Sequence, residues 1–270
     1  MITDSHCHLA STRFSDQERA EIIQRAVDAR VHRMVTLSTC LEDIEKNLEL
    51  ANDARVMATV GIHPCDVHNA PDDAVEQIAS YVDDPRVCAI GETGLDYFHP
   101  APDGWEEEMY RERQRDFLQR HFALAASAGL NVVIHTRDKE GRASFEDSFA
   151  IYNRYSDRVR AVFHCFISEW ELAERVIAVG GLVSFGGVAT FRNADLVKEV
   201  VKLVPKGSFM LETDSPYLAP EPMRGKRNEP AFVMHVAEAL AALRGETVAE
   251  LAAHTEAAAE KFFRRLNDSA

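Results

Sequence analysis

Eight short apolar or β-branched runs recur along the chain, and helical patterns fill the gaps between them. The runs fall at residues 2–8, 32–38, 56–63, 87–92, 131–136, 160–166, 181–186 and 208–213. Most are apolar on both faces, which suits parallel strands covered on both sides. The stretch "SDQERAEIIQRAVDA" opens with Ser15 and carries Glu18 three residues on, a capping box ahead of the stripe Ile22, Ile23, Ala26 and Val27. Trp105 to Ala128 reads as a long helix with Met109, Phe117, Leu118, Phe122 and Leu124 as its apolar positions. Asn228 is the expected N-cap of "NEPAFVMHVAEALAAL", and Thr247 with Glu250 forms a second capping box before the last helix. Gly129, Gly180 and Gly181 sit where helices should stop.

Eight strand–helix alternations over about 250 residues predict an α/β chain folded as a (β/α)8 TIM barrel, with residues 1–270 forming one domain. The alternative is an open doubly wound sheet. That fold usually places a glycine-rich loop after its first strand, whereas this first strand ends in histidines. No linker, low-complexity tract or internal repeat divides the chain.

The barrel reading says where chemistry must sit: at the C-terminal ends of the strands. His6 and His8 end the first run, His63 the third, Glu92 the fourth, His135 the fifth, His164 the sixth and Asp214 the eighth. One histidine on an apolar strand is usually a hydrogen-bonded core residue. Five of the 11 histidines at one end of successive strands is a different matter. Buried imidazoles need partners, and buried carboxylates are costly unless paired or metal-bound. A metal cluster is the simplest compensation. Side chains two apart on a strand share a face, so His6 and His8 converge while Cys7 points to the helix layer. The same parity sets Cys165 opposite His164, and both cysteines read as small packing residues. Glu92, with two oxygens, is the natural bridge between two ions.

Charge restricts the partners. With 30 Lys and Arg against 44 Asp and Glu, the net charge is -14, unlike proteins that coat nucleic acid by neutralising phosphate. A polyanionic substrate would have to be drawn by local positive charge or bound metal. Five cysteines without a C-x-x-C spacing suit a reducing compartment, and the cytoplasm is expected. The first residues lack a basic region followed by an apolar stretch, and no run is long enough to span a bilayer, so no membrane partner is expected. Nothing points to an obligate protein partner.

"DSHCHL", "GIHP", "GETGLDY", "VIHTRD", "HCF" and "LETDSPYLAP" followed by "RGKRNEP" occur in this order. Together they closely resemble the TatD family of metal-dependent deoxyribonucleases, within the amidohydrolase-like barrel superfamily, over essentially the whole chain. The resemblance implies two divalent ions, with Zn²⁺, Mn²⁺ and Mg²⁺ as candidates. It implies one ion on His6, His8, Glu92 and Asp214, and a second on Glu92, His135 and His164. It also implies that His63 contacts a substrate phosphate and that the substrate is DNA, single-stranded or at its ends. Two stretches depart from the family pattern. Cys65 stands where a histidine is common, and "HCFISEW" replaces "HCFSG". Both lie in loops around the expected site, so they bear on substrate choice.

The expected chemistry is phosphodiester hydrolysis by a metal-activated water between ions about 4 Å apart. Glu92 bridges, and Asp214 is either general base and ligand or ligand alone. Arg137, Arg224, Lys226 and Arg227 either meet flanking phosphates or form solvated loops and ion pairs. Tyr97 and Tyr217 either stack on bases or pack the rim. Asp96 either orients a histidine ligand or serves a turn. Two other readings stand beside the nuclease: hydrolysis of an amide, lactone or aminoacyl ester at the same site, and a non-catalytic binding protein.

Overall fold

The computed structural model describes residues 1–263, so the last seven residues of the expected 1–270 domain lie outside the described ones. The strands are β1 (Ile2–Cys7), β2 (Val31–Thr36), β3 (Val56–Val60), β4 (Val87–Tyr97), β5 (Val132–Asp138), β6 (Ala161–Phe163), β7 (Leu182–Phe185) and β8 (Phe209–Leu211). They lie side by side in chain order and every neighbouring pair is parallel. The helices are α1 (Asp16–Asp28), α2 (Leu41–Leu50), α3 (Ala74–Ile78), α4 (Glu107–Ala128), α5 (Ala143–Asn153), α6 (Trp170–Ala178), α7 (Asp195–Leu203), α8 (Val233–Arg244) and α9 (Val248–Phe262). This is the (β/α)8 TIM barrel that the alternation predicts.

The sheet closes between β1 and the segment after β8. Cys7 pairs with Ser215, the His8 amide donates to the Ser215 carbonyl (2.7 Å), and the Asp214 amide donates to the His6 carbonyl (2.8 Å). Buried Asp4 locks the same seam. It accepts from the Thr213 amide at 2.8 Å and the Thr213 hydroxyl at 2.6 Å, while burial pushes its carboxyl up to about 8.

Several strand ends differ from expectation, and those of β3, β4, β6 and β8 bear on the site. β4 continues to Tyr97 rather than stopping at Glu92. Gly94 permits this: its φ is 146°, and a Cβ there would strike the His135 carbonyl of β5. β3, β6 and β8 stop early, at Val60, Phe163 and Leu211, so His63, His164, Cys165 and Asp214 lie past strand ends. Cys165 has φ 45°, so a left-handed turn sets its direction and strand alternation does not apply to it.

Apolar side chains form two layers. Ile22, Leu118, Phe122, Leu172 and Val236 pack between strands and helices. Val35, Met57, Val133, Leu182 and Met210 fill the barrel interior, joined by Ala258, Ala259, Phe262 and Phe263 at the end of the chain described. Asn131, just before β5, donates to the Phe262 carbonyl (2.6 Å). The end of α9 therefore seals the N-terminal mouth, burying two phenyl rings worth about 1.5–3 kcal/mol each. Both expected capping boxes form, at Ser15–Glu18 and Thr247–Glu250. Two details are corrected. Met109 is 56% exposed, on the solvent face of α4. Asn228 does not cap a helix: its amide donates to the Thr213 and Tyr217 carbonyls, clamping the loop after β8, and α8 begins at Val233 after a 3-10 turn. Among the described residues, no helix is long and apolar enough to cross a membrane.

His121 on α4 is a core histidine of the ordinary kind. Its Nδ1 donates to the Phe117 carbonyl (2.7 Å) and its Nε2 accepts the Ile62 amide (3.2 Å), a pairing only the neutral ring can make. Burial lowers its pKa to about 4. Between pH 6.5 and 4 the unfolded chain takes up a proton here and the folded chain does not. The stability this residue contributes is thus complete above pH 6.5 and lost as pH falls toward 4, by up to about 3 kcal/mol. Urea unfolding measured against pH should show a shallower acid slope for His121→Gln than for the wild type. Parallel slopes would contradict this.

Candidate metal centre

The C-terminal mouth gathers the polar residues. His6 and His8 leave β1 on one face with their Nε2 atoms 3.2 Å apart. Cys7 turns the other way, its thiol on the Val35 carbonyl (3.2 Å) within the outer core, as the parity requires. Asp214 has φ 56°, a left-handed conformation that aspartate tolerates better than most residues. That turn sets its Oδ1 at 3.3 Å from His8 Nε2 and 3.7 Å from His6 Nε2. Glu92, only 3% exposed, reaches in from β4 with Oε2 3.5 Å from both imidazoles.

The second Glu92 oxygen faces a different group. Oε1 lies 2.8 Å from His164 Nε2, 3.1 Å from His135 Nδ1 and 3.5 Å from His63 Nε2. One buried carboxylate thus divides two sets of donors. Bonds of about 2.0–2.2 Å from nitrogen and oxygen place neighbouring donors roughly 3.3 Å apart around one ion, and these separations match. His6–His8–Asp214 and His63–Glu92–His135 each have donor atoms within 4.8 Å of one another.

Proton positions separate the histidines. His63 Nδ1 accepts the Cys65 amide (3.1 Å), so the neutral ring carries its proton on Nε2 and presents a donor to the cavity. Burial drives its pKa down to about 3, which keeps it neutral. His135 is the reverse: Nε2 points outward to Asp96 Oδ2 (3.2 Å), leaving an Nδ1 lone pair facing inward. Burial and His164 lower the His6 pKa, again favouring a ring with a free lone pair. Burial alone would raise the Glu92 carboxyl, yet His164, His63, His6 and His135 hold it well below the usual range. It is therefore charged, as a bridging ligand must be.

Two carboxylates back the histidines. Asp96 serves both readings left open above, since it faces His135 and its Oδ1 accepts the Phe98 and His99 amides. Glu212 was missed. It is fully buried behind His164, with Oε1 3.8 Å from His164 Nδ1 and accepting the Cys165 amide at 2.7 Å, while Ser184 donates to Oε2. A glutamate directly following the apolar "FML" of β8 was the available signal.

The TatD related DNase family model matches residues 3–264. The chain belongs to the TatD family. Its relatives include the uncharacterized metal-dependent hydrolase YabD of Bacillus subtilis, 34% identical over 98% of this chain and 99% of YabD. YcfH of Escherichia coli K12, also an uncharacterized metal-dependent hydrolase, is 34% identical over 93% of this chain and 91% of its own length. The crystal structure of YJJV, a TatD homologue from Escherichia coli K12, superposes with a TM-score of 0.86 at 28% identity, covering 97% of both chains. This TatD protein is accordingly a metal-dependent hydrolase.

The rim of the TatD barrel mouth is less uniform than expected. Arg13, Tyr217, Arg224 and Lys226 line a cavity of 850 Å³ beside Asp214. Arg224 is exposed and stacks on Phe191 at 4.0 Å. Arg227 lines the same cavity but is committed to Glu18 (2.7 Å) and the Arg13 carbonyl (2.7 Å). Arg137 is exposed and lies over Phe98 at 4.0 Å. Asp138 instead accepts from the Ser144 amide and hydroxyl. Tyr217 is 42% exposed with the Arg13 guanidinium over its ring at 4.9 Å, whereas Tyr97 is 6% exposed with its hydroxyl on Asp147, so of the two only Tyr217 reaches the rim surface.

Proposed function

We propose that this TatD protein hydrolyses phosphodiester bonds of DNA, acting on single strands or ends. The observation that carries the reading is Glu92, whose two oxygens each face a separate group of imidazoles. His6, His8, Glu92 and Asp214 would hold one divalent ion, and Glu92, His135 and His164 the other. Bound there, Zn²⁺, Mn²⁺ or Mg²⁺ would supply Lewis acidity toward a phosphate and acidify a water.

The chain's own residues supply the rest. Asp214 Oδ1 faces the histidine pair, and its second oxygen would accept the proton of the attacking water. His8, His6 and His164 outweigh burial to lower the Asp214 pKa, so position rather than basicity recommends it. His63 offers its Nε2 proton to a non-bridging phosphate oxygen. Arg13, Arg224 and Lys226 give local positive charge on a chain of net charge -14, at one side of the mouth only. That arrangement suits a grip on a few nucleotides rather than on a long duplex. Tyr217 provides a stacking face for a base next to the cut. Five cysteines without a C-x-x-C spacing fit a reducing compartment, the cytoplasm.

The test is cleavage of end-labelled single-stranded DNA with each of the three metals. Metal-dependent shortening from an end is expected. No cleavage under any metal, together with turnover of lactone or aminoacyl ester substrates, would replace the nuclease reading with an acyl hydrolase at the same site.

A further inference from the structure

Cys65, Asp96 and His99 form a group of metal-binding donors outside the two sets around Glu92. Cys65 sits in the loop after β3, Asp96 near the end of β4 and His99 just beyond it. Cys65 Sγ lies 3.7 Å from His99 Nδ1, and His99 Nδ1 lies 3.0 Å from Asp96 Oδ2. Zinc bonds of about 2.3 Å to sulfur and 2.0 Å to nitrogen or oxygen would set such donors roughly 3.3–3.6 Å apart. We propose that these three side chains form a third cation site, selective for a thiophilic divalent ion such as zinc.

The lone pairs of Asp96 allow it. Oδ1 accepts two backbone amides, from Phe98 and His99. Oδ2 faces His135 Nε2 at 3.2 Å and keeps one further direction, toward His99. An ion held by that oxygen, the thiolate and the His99 ring would replace the proton now shared between Asp96 and His99, leaving no oxygen overcommitted. The mixture of soft sulfur, imidazole and one carboxylate favours zinc over magnesium. Asp96 is 2% exposed and anchors the site, while the His99 side chain is 50% exposed and leaves one side open to water. Three protein ligands with an exchangeable fourth position result. Asp96 would connect this ion to His135 through a single carboxylate, adding positive charge beside the mouth at a face remote from Arg224 and Lys226.

The experiment is a cobalt titration of the chelator-treated full-length protein, read by absorption. A thiolate-to-cobalt charge-transfer band in the near ultraviolet is expected in the wild type, with the intensity of a single thiolate ligand. Cys65→Ser should abolish it and lower total bound metal by one equivalent, and His99→Ala should weaken it at least tenfold in affinity. Asp96 is left intact because it also serves His135. Absence of the band, or a band that persists unchanged in Cys65→Ser and His99→Ala, overturns the third site. The Glu92 sites contain no sulfur and report through separate visible bands, so their failure would be seen independently.

Discussion

Glu92→Gln is expected to lower kcat/KM by about a thousandfold or more, with the protein still folded. The substitution keeps shape and volume, so the strands around it need not move. What changes is charge and donor count. One amide oxygen replaces two carboxylate oxygens, and an NH₂ group now faces either the His6–His8 side or the His135–His164 side, each within 3.5 Å. On the proposed two-ion site, a bridge would become a one-sided contact, and one ion would lose its shared anion. Metal pairs provide several kcal/mol of charge stabilisation in such reactions, and each 1.4 kcal/mol is about tenfold in rate. Steady-state kinetics with elemental analysis should show activity and one equivalent of metal falling together. Full metal content with near-normal turnover would show that Glu92 is not the bridge.

Chelation should produce the second large effect. At about 100 times its Kd, one ion stabilises the fold by roughly 2.7 kcal/mol, so two contribute about 5 kcal/mol. For a domain of this size about 1 kcal/mol moves Tm by 2–4 °C, which gives a fall of roughly 10 °C or more on metal removal. Differential scanning calorimetry of chelated and reloaded protein measures it. The size has a structural cause. Five imidazoles converge with Glu92 and Asp214 in this mouth, and without ions the imidazoles must balance the buried Glu92 charge themselves. A chelated protein that melts unchanged would mean that this network is self-sufficient and that the ions bind weakly.

The barrel was legible because a parallel strand buried on both faces writes itself as an unbroken apolar run. The ends of those runs were legible too, and they put His6, His8, Glu92, His135, His164 and Asp214 at one mouth. What the sequence hid depends on neighbours distant in the chain. Glu212 meets the Cys165 amide and Ser184 because β6, β7 and β8 are adjacent, and no local pattern announces that. Arg227 looked free beside Gly225 and Lys226, but Glu18 lies in contact only after the barrel closes. Asn228 had the composition of a helix cap and was drawn instead to two orphan carbonyls, of Thr213 and Tyr217. The left-handed turns at Cys165 and Asp214 set side-chain directions that strand alternation cannot supply.

The seam between β1 and the β8 loop runs through the site itself. His6 and His8 stand on one side of it, and Asp214 on the other. Glu92, His135 and His164 come from the consecutive β4–β6 region and can meet before the ring is complete. The set around His6 exists only once chain segments about 200 residues apart have joined, a closure that is entropically slow to reach. An ion bound by both sides of the seam would then be a clasp on the finished ring. It would tie catalytic competence to complete folding, so that a half-assembled barrel would have no active hydrolytic centre.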